Sequence, residues 1–344
     1  MKMTQMKMYK KLVGLSLACM GLLAVSSQAQ PSAATSVQQM QNFQQNMTQQ
    51  KPLLSLRTGT NAPETYPGED KEVGPQHILR LLPLHTLFEV DVDSQYLYTD
   101  NAMLTRRPVR SSTELVNTIR AAISPTPYKM GNGRFAPSIG YLSQWYDYGL
   151  GGDDLSAMDF NVQTAFASAK YLFPNDWSVF GEFDYTRLSS QQLIKHFYSD
   201  YTPIVGVQRL IQVGNRGLIS ASLQADYHDS WTINSPNNSQ DRADGIFSLA
   251  FGYQFTPHFM VQPSYRFQYT YYQHATSTTP GINGPSGRND YLNSFGITAA
   301  YYFTPNLSLR VFANDDIKMV DHDKLAPQYH DYNFGVDLSY SIRF

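Results

Sequence analysis

The amino-acid sequence predicts an all-β chain, an antiparallel transmembrane β-barrel of about twelve strands. Three observations carry that expectation. The first is the last stretch, where Tyr332, Phe334, Val336, Leu338, Tyr340, Ile342 and Phe344 alternate with Asn333, Gly335, Asp337, Ser339, Ser341 and Arg343. A period of two held to the final residue makes a strand with one apolar and one polar face. Chain ends usually fray, so a fully patterned terminal strand calls for partners on both sides, which a closed barrel supplies. The second is composition: of 344 residues, 13% are aromatic and 16% charged, yet mean hydropathy is only −0.37. A helical membrane protein is far more apolar, whereas a barrel shows only alternate residues to lipid and averages out as hydrophilic. The third is a regular exchange of short turns and long loops along the chain.

In chain order, residues 1–29 read as a cleaved signal peptide. Lys2, Lys7, Lys10 and Lys11 form the positive start, Leu12 to Val25 the apolar middle, and Ser27-Gln28-Ala29 the small-residue cut site. A run of ~14 apolar residues is short for a membrane span. The single cysteine, Cys19, lies inside this segment. A lipoprotein signal wants Leu three positions earlier, where Ser16 stands, so lipidation is not expected. The mature chain then has no cysteine, which excludes disulfides and thiolate chemistry. Residues 30–86 follow as a polar arm, Gln-rich from Gln38 to Gln50 and then rich in Pro, Gly and Glu. Too little apolar surface is present for a core, so we expect a disordered or loosely helical periplasmic arm, a spacer or a partner-binding segment.

From Leu87 to Phe344 the two-residue beat sets in. Phe88, Val90, Val92, Ser94, Tyr96 and Tyr98 share one face, and Glu89, Asp91, Asp93, Gln95 and Leu97 the other. The beat recurs from Trp177 to Tyr185, Ile219 to Trp231, Phe247 to Phe255, Phe259 to Tyr271 and Tyr291 to Phe303, with aromatics gathered at segment ends as interfacial girdles require. Short turns fall at Phe173–Trp177, Gly214–Arg216, Phe255–Phe259, Phe303–Leu307 and Gly131–Gly133. Long polar stretches run from Asp100 to Ser112, Gly149 to Ala157, Leu188 to Tyr198, Thr232 to Arg242, Ala275 to Arg288 and Lys318 to Asp331. An even strand count leaves both barrel termini on the short-turn side. Three segments are weaker. Thr113 to Tyr128 reads as a strand only at its start, Asp159 to Phe173 suggests a face switch and bulge near Lys170, and Tyr201 to Val213 is poorly amphipathic and holds Pro203. One misread hairpin would make the count ten or fourteen. A soluble β-sandwich or a solenoid would bury the aromatics but would not explain the terminal strand and the two-sided loop lengths together.

The last strand resembles the C-terminal strand of bacterial outer-membrane barrels, which end in Phe after alternating aromatic and apolar residues. The segment Tyr96-Leu-Tyr-Thr-Asp-Asn-Ala-Met-Leu-Thr105 likewise resembles the Tyr-x-Asp-Asn-hydrophobic opening of a broad family of outer-membrane β-barrel porins. The resemblance implies a barrel in the outer membrane of a Gram-negative bacterium, in contact with its lipids. It also implies that Tyr340, Ile342 and Phe344 form the signal read by the barrel-assembly machinery. The residues themselves read Asp100-Asn101 as a strand-to-loop turn.

Catalytic sets are sparse. His228-Asp229-Ser230 resembles the His-x-Ser of outer-membrane phospholipase A, but Trp231-Thr232-Ile233 follows where that family has Asn-Gly-Arg. The beat also points His228 and Ser230 inward, whereas that family's pair faces lipid. A phospholipase-like enzyme is therefore only a remote alternative. Asp315-Asp316 and Asp321-His322-Asp323 form an acidic stretch, read as solvated loop charge because the ligand spacing and turn glycine of a calcium loop are absent. No metal or cofactor is expected. A net charge of −2 gives no case for nucleic acid as partner.

Function then falls to the lumen. Twelve strands spaced ~4.8 Å and tilted ~40° enclose a backbone radius of about 12 Å, and inward side chains of about 5–6 Å leave a narrow pore. The beat puts Glu89, Asp91, Asp93, Glu182, Asp184 and Asp226 inward on the earlier strands, and Arg266, Arg310, Asp337 and Arg343 inward on the later ones. We expect a narrow passive channel for small polar solutes. The alternative is a closed barrel acting through its extracellular loops. Acid-walled early strands facing arginine-bearing later ones would act as a transverse field, or else pair across the bore. Deleting Phe344 is expected to reduce the heat-modifiable, folded form in the membrane fraction; normal folded levels would remove the C-terminal strand from the assembly signal.

Overall fold

The computed structural model describes Met40 and residues 87–343, except 105, 107–108, 151–154, 156–157, 191–195, 233–240, 274–286 and 322–327. The signal peptide, Phe344 and most of the arm thus lie outside the described residues. The strands are β1 (Phe88–Thr99), β2 (Ser112–Ile123), β3 (Tyr128–Met130), β4 (Gly133–Tyr148), β5 (Phe160–Leu172), β6 (Trp177–Ser190) and β7 (His196–Val213), followed by β8 (Gly217–Thr232), β9 (Arg242–Thr256), β10 (Phe259–Tyr272), β11 (Asn289–Tyr302), β12 (Leu307–Val320) and β13 (Tyr329–Arg343). All neighbours pair antiparallel. The sheet closes because β1 pairs with β13 on one side and β2 on the other, while β2 also pairs with β4. The short β3 continues β2 along β4 after a break at Pro125 and Pro127, which have no N–H to donate, so the wall is a closed barrel of twelve staves.

The connections alternate as the sequence predicts. Short turns join β3–β4, β5–β6, β7–β8, β9–β10 and β11–β12, and longer segments join the strands at the opposite end. Gly131 and Gly214 take positive φ in two of the tight turns, which only glycine enters without strain. Large apolar residues at alternate positions face outward and are exposed, among them Val92, Tyr96, Ile139, Phe183, Val205, Leu223, Phe295, Val336 and Tyr340. Outward rings gather near both ends: Tyr185, Tyr201 and Trp231 meet towards the long loops, and Tyr253, Phe255 and Phe259 towards the short turns. A bare apolar surface bounded by aromatic girdles is what lipid contact requires.

Two sequence expectations are corrected and a third weak segment is resolved. Thr113 to Tyr128 is not a strand only at its start: β2 pairs without a break from Ser112 to Ile123 on β1. There is no bulge near Lys170, because β5 stays in register with both β4 and β6 from Phe160 to Leu172. Lys170 keeps the inward parity and reaches Gln208 at 2.6 Å. Tyr201 to Val213 belongs to one long strand, β7. Pro203 faces outward, and the β7–β8 pairing skips the positions around it, as a residue without N–H requires. The shifts in register lie elsewhere, at Leu188/Ser189 and Phe259/Met260.

The Asp100-Asn101 turn does more than end β1. Tyr332 N donates to Asp100 Oδ1 at 2.8 Å and Asp100 N to Tyr332 O at 3.0 Å. Thr99 Oγ1 donates to Asp331 Oδ1 at 2.5 Å, and Asn101 Nδ2 to His330 O at 3.1 Å. These bonds clamp the first strand to the last at the long-loop end. Replacing Asp100 and Asn101 together by Ala is expected to cost about 1–3 kcal/mol, read as a lower temperature for conversion of the folded to the unfolded band on gels. An unchanged temperature would mean that backbone pairing alone holds the seam.

Candidate functional site

Every inward position opens onto one lumen, and its two halves differ. Towards the long loops, the inward Asp93, Gln95, Leu97 and Thr99 on β1 are buried, whereas Glu89 and Asp91 nearer the short turns are partly exposed. The same change occurs on β7, from buried Tyr198, Asp200 and Thr202 to partly exposed Ile204, Gly206 and Gln208. On β8 Asp226, His228 and Ser230 are buried and Gln224 and Ser222 partly exposed, but Ser220 and Leu218, nearest the short turn, are buried again. The lumen is filled towards the long loops, is partly open nearer the short turns along β1, β2 and β5 to β8, and is buried again at Ser178, Leu218, Met260, Gln262, Ala300 and Ser308.

The structure puts all ten charged candidates on the inward parity: Glu89, Asp91, Asp93, Glu182, Asp184, Asp226, Arg266, Arg310 and Asp337 line the wall, and Arg343 stands at the exposed short-turn rim. Their pairing differs from both sequence expectations, because ion pairs run along the wall and not across the bore. Arg310 Nη2 donates to Asp93 Oδ1 at 2.8 Å and also contacts the carboxylate of Asp337, linking β12, β13 and β1. Arg120, which the sequence reading did not single out, reaches both Glu89 and Asp91 at 3.1 Å. Its guanidinium stacks over Phe166 at 5.0 Å. Phe166 in turn lies flat on the wall over Gly140, where any Cβ would sit 2.4 Å from the ring. Arg343 Nη2 meets Glu89 Oε1 at 2.9 Å.

A second ionic group lies on β7 to β9. His228 Nδ1 is 2.6 Å from Asp200 Oδ2, and its Nε2 is 3.3 Å from Asp244 Oδ2, which also accepts from Arg242 Nε at 3.1 Å. Ser230 donates to Asp241 Oδ1 at 3.2 Å. Ligand atoms of Asp226, His228 and Asp244 fall within 4.8 Å of one another, the spacing of a cation site. Arg242 already brings a positive charge to Asp244, so the protein itself supplies what a cation would. A third group joins Lys318 Nζ and Arg288 Nη2 to Asp290 Oδ2, at 2.8 and 3.0 Å. Arg266 stands apart: it is 2% exposed and donates to Gln268 at 3.1 Å, while its Nε and Nη1 have no hydrogen-bond partner.

The acidic stretch near the end of β12 is not a loop at Asp315 and Asp316. Both lie on the strand, with Asp316 inward beside Ser294 and Asp315 outward, 2.6 Å from His330 Nε2. Asp321 follows the strand, and residues 322–323 lie outside the described residues. Of the residues expected to form an assembly signal, Tyr340 and Ile342 face outward on β13.

No protein-family model matches the chain, and no curated protein matches it. Among solved structures, an outer-membrane channel from Pseudomonas putida F1 matches with a TM-score of 0.52 at 13% identity, covering 76% of this chain and 97% of that one. The KdgM porin in complex with disordered oligogalacturonate matches at 0.38 and 15%, covering 73% and 99%. The translocator domain of the autotransporter NalP from Neisseria meningitidis matches at 0.44 and 12%, covering 91% and 98%. The fold is similar to that of a solved outer-membrane β-barrel channel.

Removing Arg310 would leave two buried carboxylates facing one another. Arg310→Ala is expected to cost about 3–5 kcal/mol, seen as a lower unfolding temperature in detergent. Adding Asp93→Asn and Asp337→Asn should restore most of it. A triple variant no more stable than Arg310→Ala would show that the arginine acts by packing and not by charge.

Proposed function

We propose that the chain is a porin-like channel of the Gram-negative outer membrane, passing small polar solutes through a charged lumen. The observation that carries this reading is one side of the lumen wall, along β1, β2 and β5 to β8. There Glu89, Asp91, Arg120, Lys170, Glu182, Asp184, Gln208 and Gln224 all face inward and are only partly buried. Exposed charge inside a barrel wall is costly unless water shares the space, and a wetted, charge-lined bore is what a small-solute path needs. The similarity in fold to a solved outer-membrane channel supports the same reading. Hydrolysis fits less well. Carboxylates engage both nitrogens of His228, and Ser230 donates to Asp241, so neither the base nor the nucleophile is free to act on the other.

The second reading, a closed barrel acting through its surface loops, is favoured by one observation: the long-loop half holds an apolar cluster that runs from Phe312 on β12 through Leu97, Val116, Tyr146 and Phe160 to Tyr198 on β7. Single-channel recording in planar bilayers separates the two, with discrete steps expected for the channel and silence for the closed barrel. Arg120 balances Glu89 and Asp91, and along this side of the wall four inward carboxylates, Glu89, Asp91, Glu182 and Asp184, outnumber the inward cations Arg120 and Lys170. The pore is therefore expected to prefer cations weakly. Glu182→Gln with Asp184→Asn should move the reversal potential in a salt gradient towards zero. An unchanged potential in a folded double variant would remove these carboxylates from the permeation path.

A further inference from the structure

One residue of the Gln-rich arm is in a place that a free periplasmic tail would not reach. Met40 is 3% exposed and belongs to the apolar cluster of the lumen, together with Leu97, Val116, Tyr146, Phe160 and Phe312. Those residues come from β1, β2, β4, β5 and β12 and lie towards the long loops. The arm joins the barrel at Leu87, beside the start of β1 and therefore at the short-turn end. We propose that the arm docks inside the barrel, with Met40 seated in this cluster.

The arm's own pattern fits that seat. In sequence, Val37 and Phe43 stand three positions either side of Met40, and Met47 stands seven beyond it. Such spacing puts apolar side chains on one helical face, and Met40 has helical backbone. The glutamines between them are uncharged, so they can line an ionic wall without adding a charge that needs a counterion. Methionine suits the seat, since its unbranched, polarizable side chain adapts to an irregular apolar gap. Topology supports the same occupant. Twelve residues of β1 at ~3.3 Å each cover about 40 Å along the strand, and the polar chain from Met40 back to Leu87 must cover most of that height. A route through the lumen keeps its backbone out of lipid.

Docking is tested on the full-length, detergent-folded protein with a photo-crosslinking residue in place of Met40. Intramolecular adducts should map to the strand segments that carry Leu97, Val116, Tyr146, Phe160 or Phe312. Because a probe at position 40 could disturb its own seat, a second protein carries the probe in place of Phe312 and should yield adducts on the arm peptide containing Met40. Adducts only at the short turns, only between molecules, or absent from both proteins would overturn the proposal. The consequence for permeation rests on the channel reading and is read separately. Met40→Asp should raise single-channel conductance severalfold by driving the arm from the apolar seat. Adducts in place with wild type and Met40→Asp both silent would overturn the channel reading and support docking.

Discussion

Everything in this molecule depends on the pairing of its first strand with its last. From Glu89 opposite Arg343 to Thr99 opposite Asn333, β1 and β13 run as one uninterrupted antiparallel ladder. Lipid offers no hydrogen bonds, so each backbone N–H or C=O left at an open edge would cost several kcal/mol. A sheet that stayed open between β1 and β13 would pay that along both strands. Closure removes both edges at once, which explains why the two-residue pattern holds throughout β13. The side-chain bonds of Thr99, Asp100 and Asn101 to the start of β13 lock the register, and a slip of one residue would turn every apolar side chain of the strand inward.

Closure then dictates how the charges behave. It turns the polar face of every strand into one confined space, where an unpaired charge is costly. An inward side chain reaches about 5–6 Å while the backbone wall has a radius of about 12 Å, so the partners within reach are one or two strands away along the wall. Arg310 with Asp93 and Asp337, Arg120 with Glu89 and Asp91, and His228 between Asp200 and Asp244 all follow this rule. A field across the bore needs acids and bases kept apart on opposite walls. Here the cations of these groups are neutralised close to their own strands, whereas Arg266 and Lys170 donate to the neutral glutamines Gln268 and Gln208.

The same geometry explains what could be read from the sequence. The period of two places a side chain on a face without knowledge of its neighbours, so the barrel, its outward belt and the inward parity of Glu89, Asp184 or Arg310 were legible. Pairing depends on which strands are adjacent and in what register, and a single strand does not encode that. Arg120 was missed because the prolines after Ile123 hid the second half of β2, and Arg242 and Asp244 because their segment begins at a loop boundary. Lys170 misled for a related reason: a long cation beside small residues looks like a change of face, but its stem lies along the wall and its head finds Gln208. The clamp at Asp100-Asn101 was visible as a turn, yet its partner, Asp331-Tyr332, lies at the other end of the chain.

The wall is held by backbone pairing and, at sites such as Arg310, by buried ion pairs, so the inward side chains outside those pairs are the freer to vary. The two halves of this lumen have taken different courses. Towards the long loops the inward faces pack much as a soluble core does, with Tyr146 and Phe160 stacked at 4.4 Å and Val116 and Leu188 fully buried. Nearer the short turns the wall is charged and partly exposed along β1, β2, β5 and β6, and buried again at Leu218, Met260, Gln262 and Ala300. A polar solute entering from the short-turn side first meets charges that can replace part of its hydration, and then an apolar region that cannot. The higher barrier lies in the second region. On the channel reading proposed above, permeability is governed less by the charges that line the bore than by whatever occupies the apolar seat, and Met40 is the residue found there.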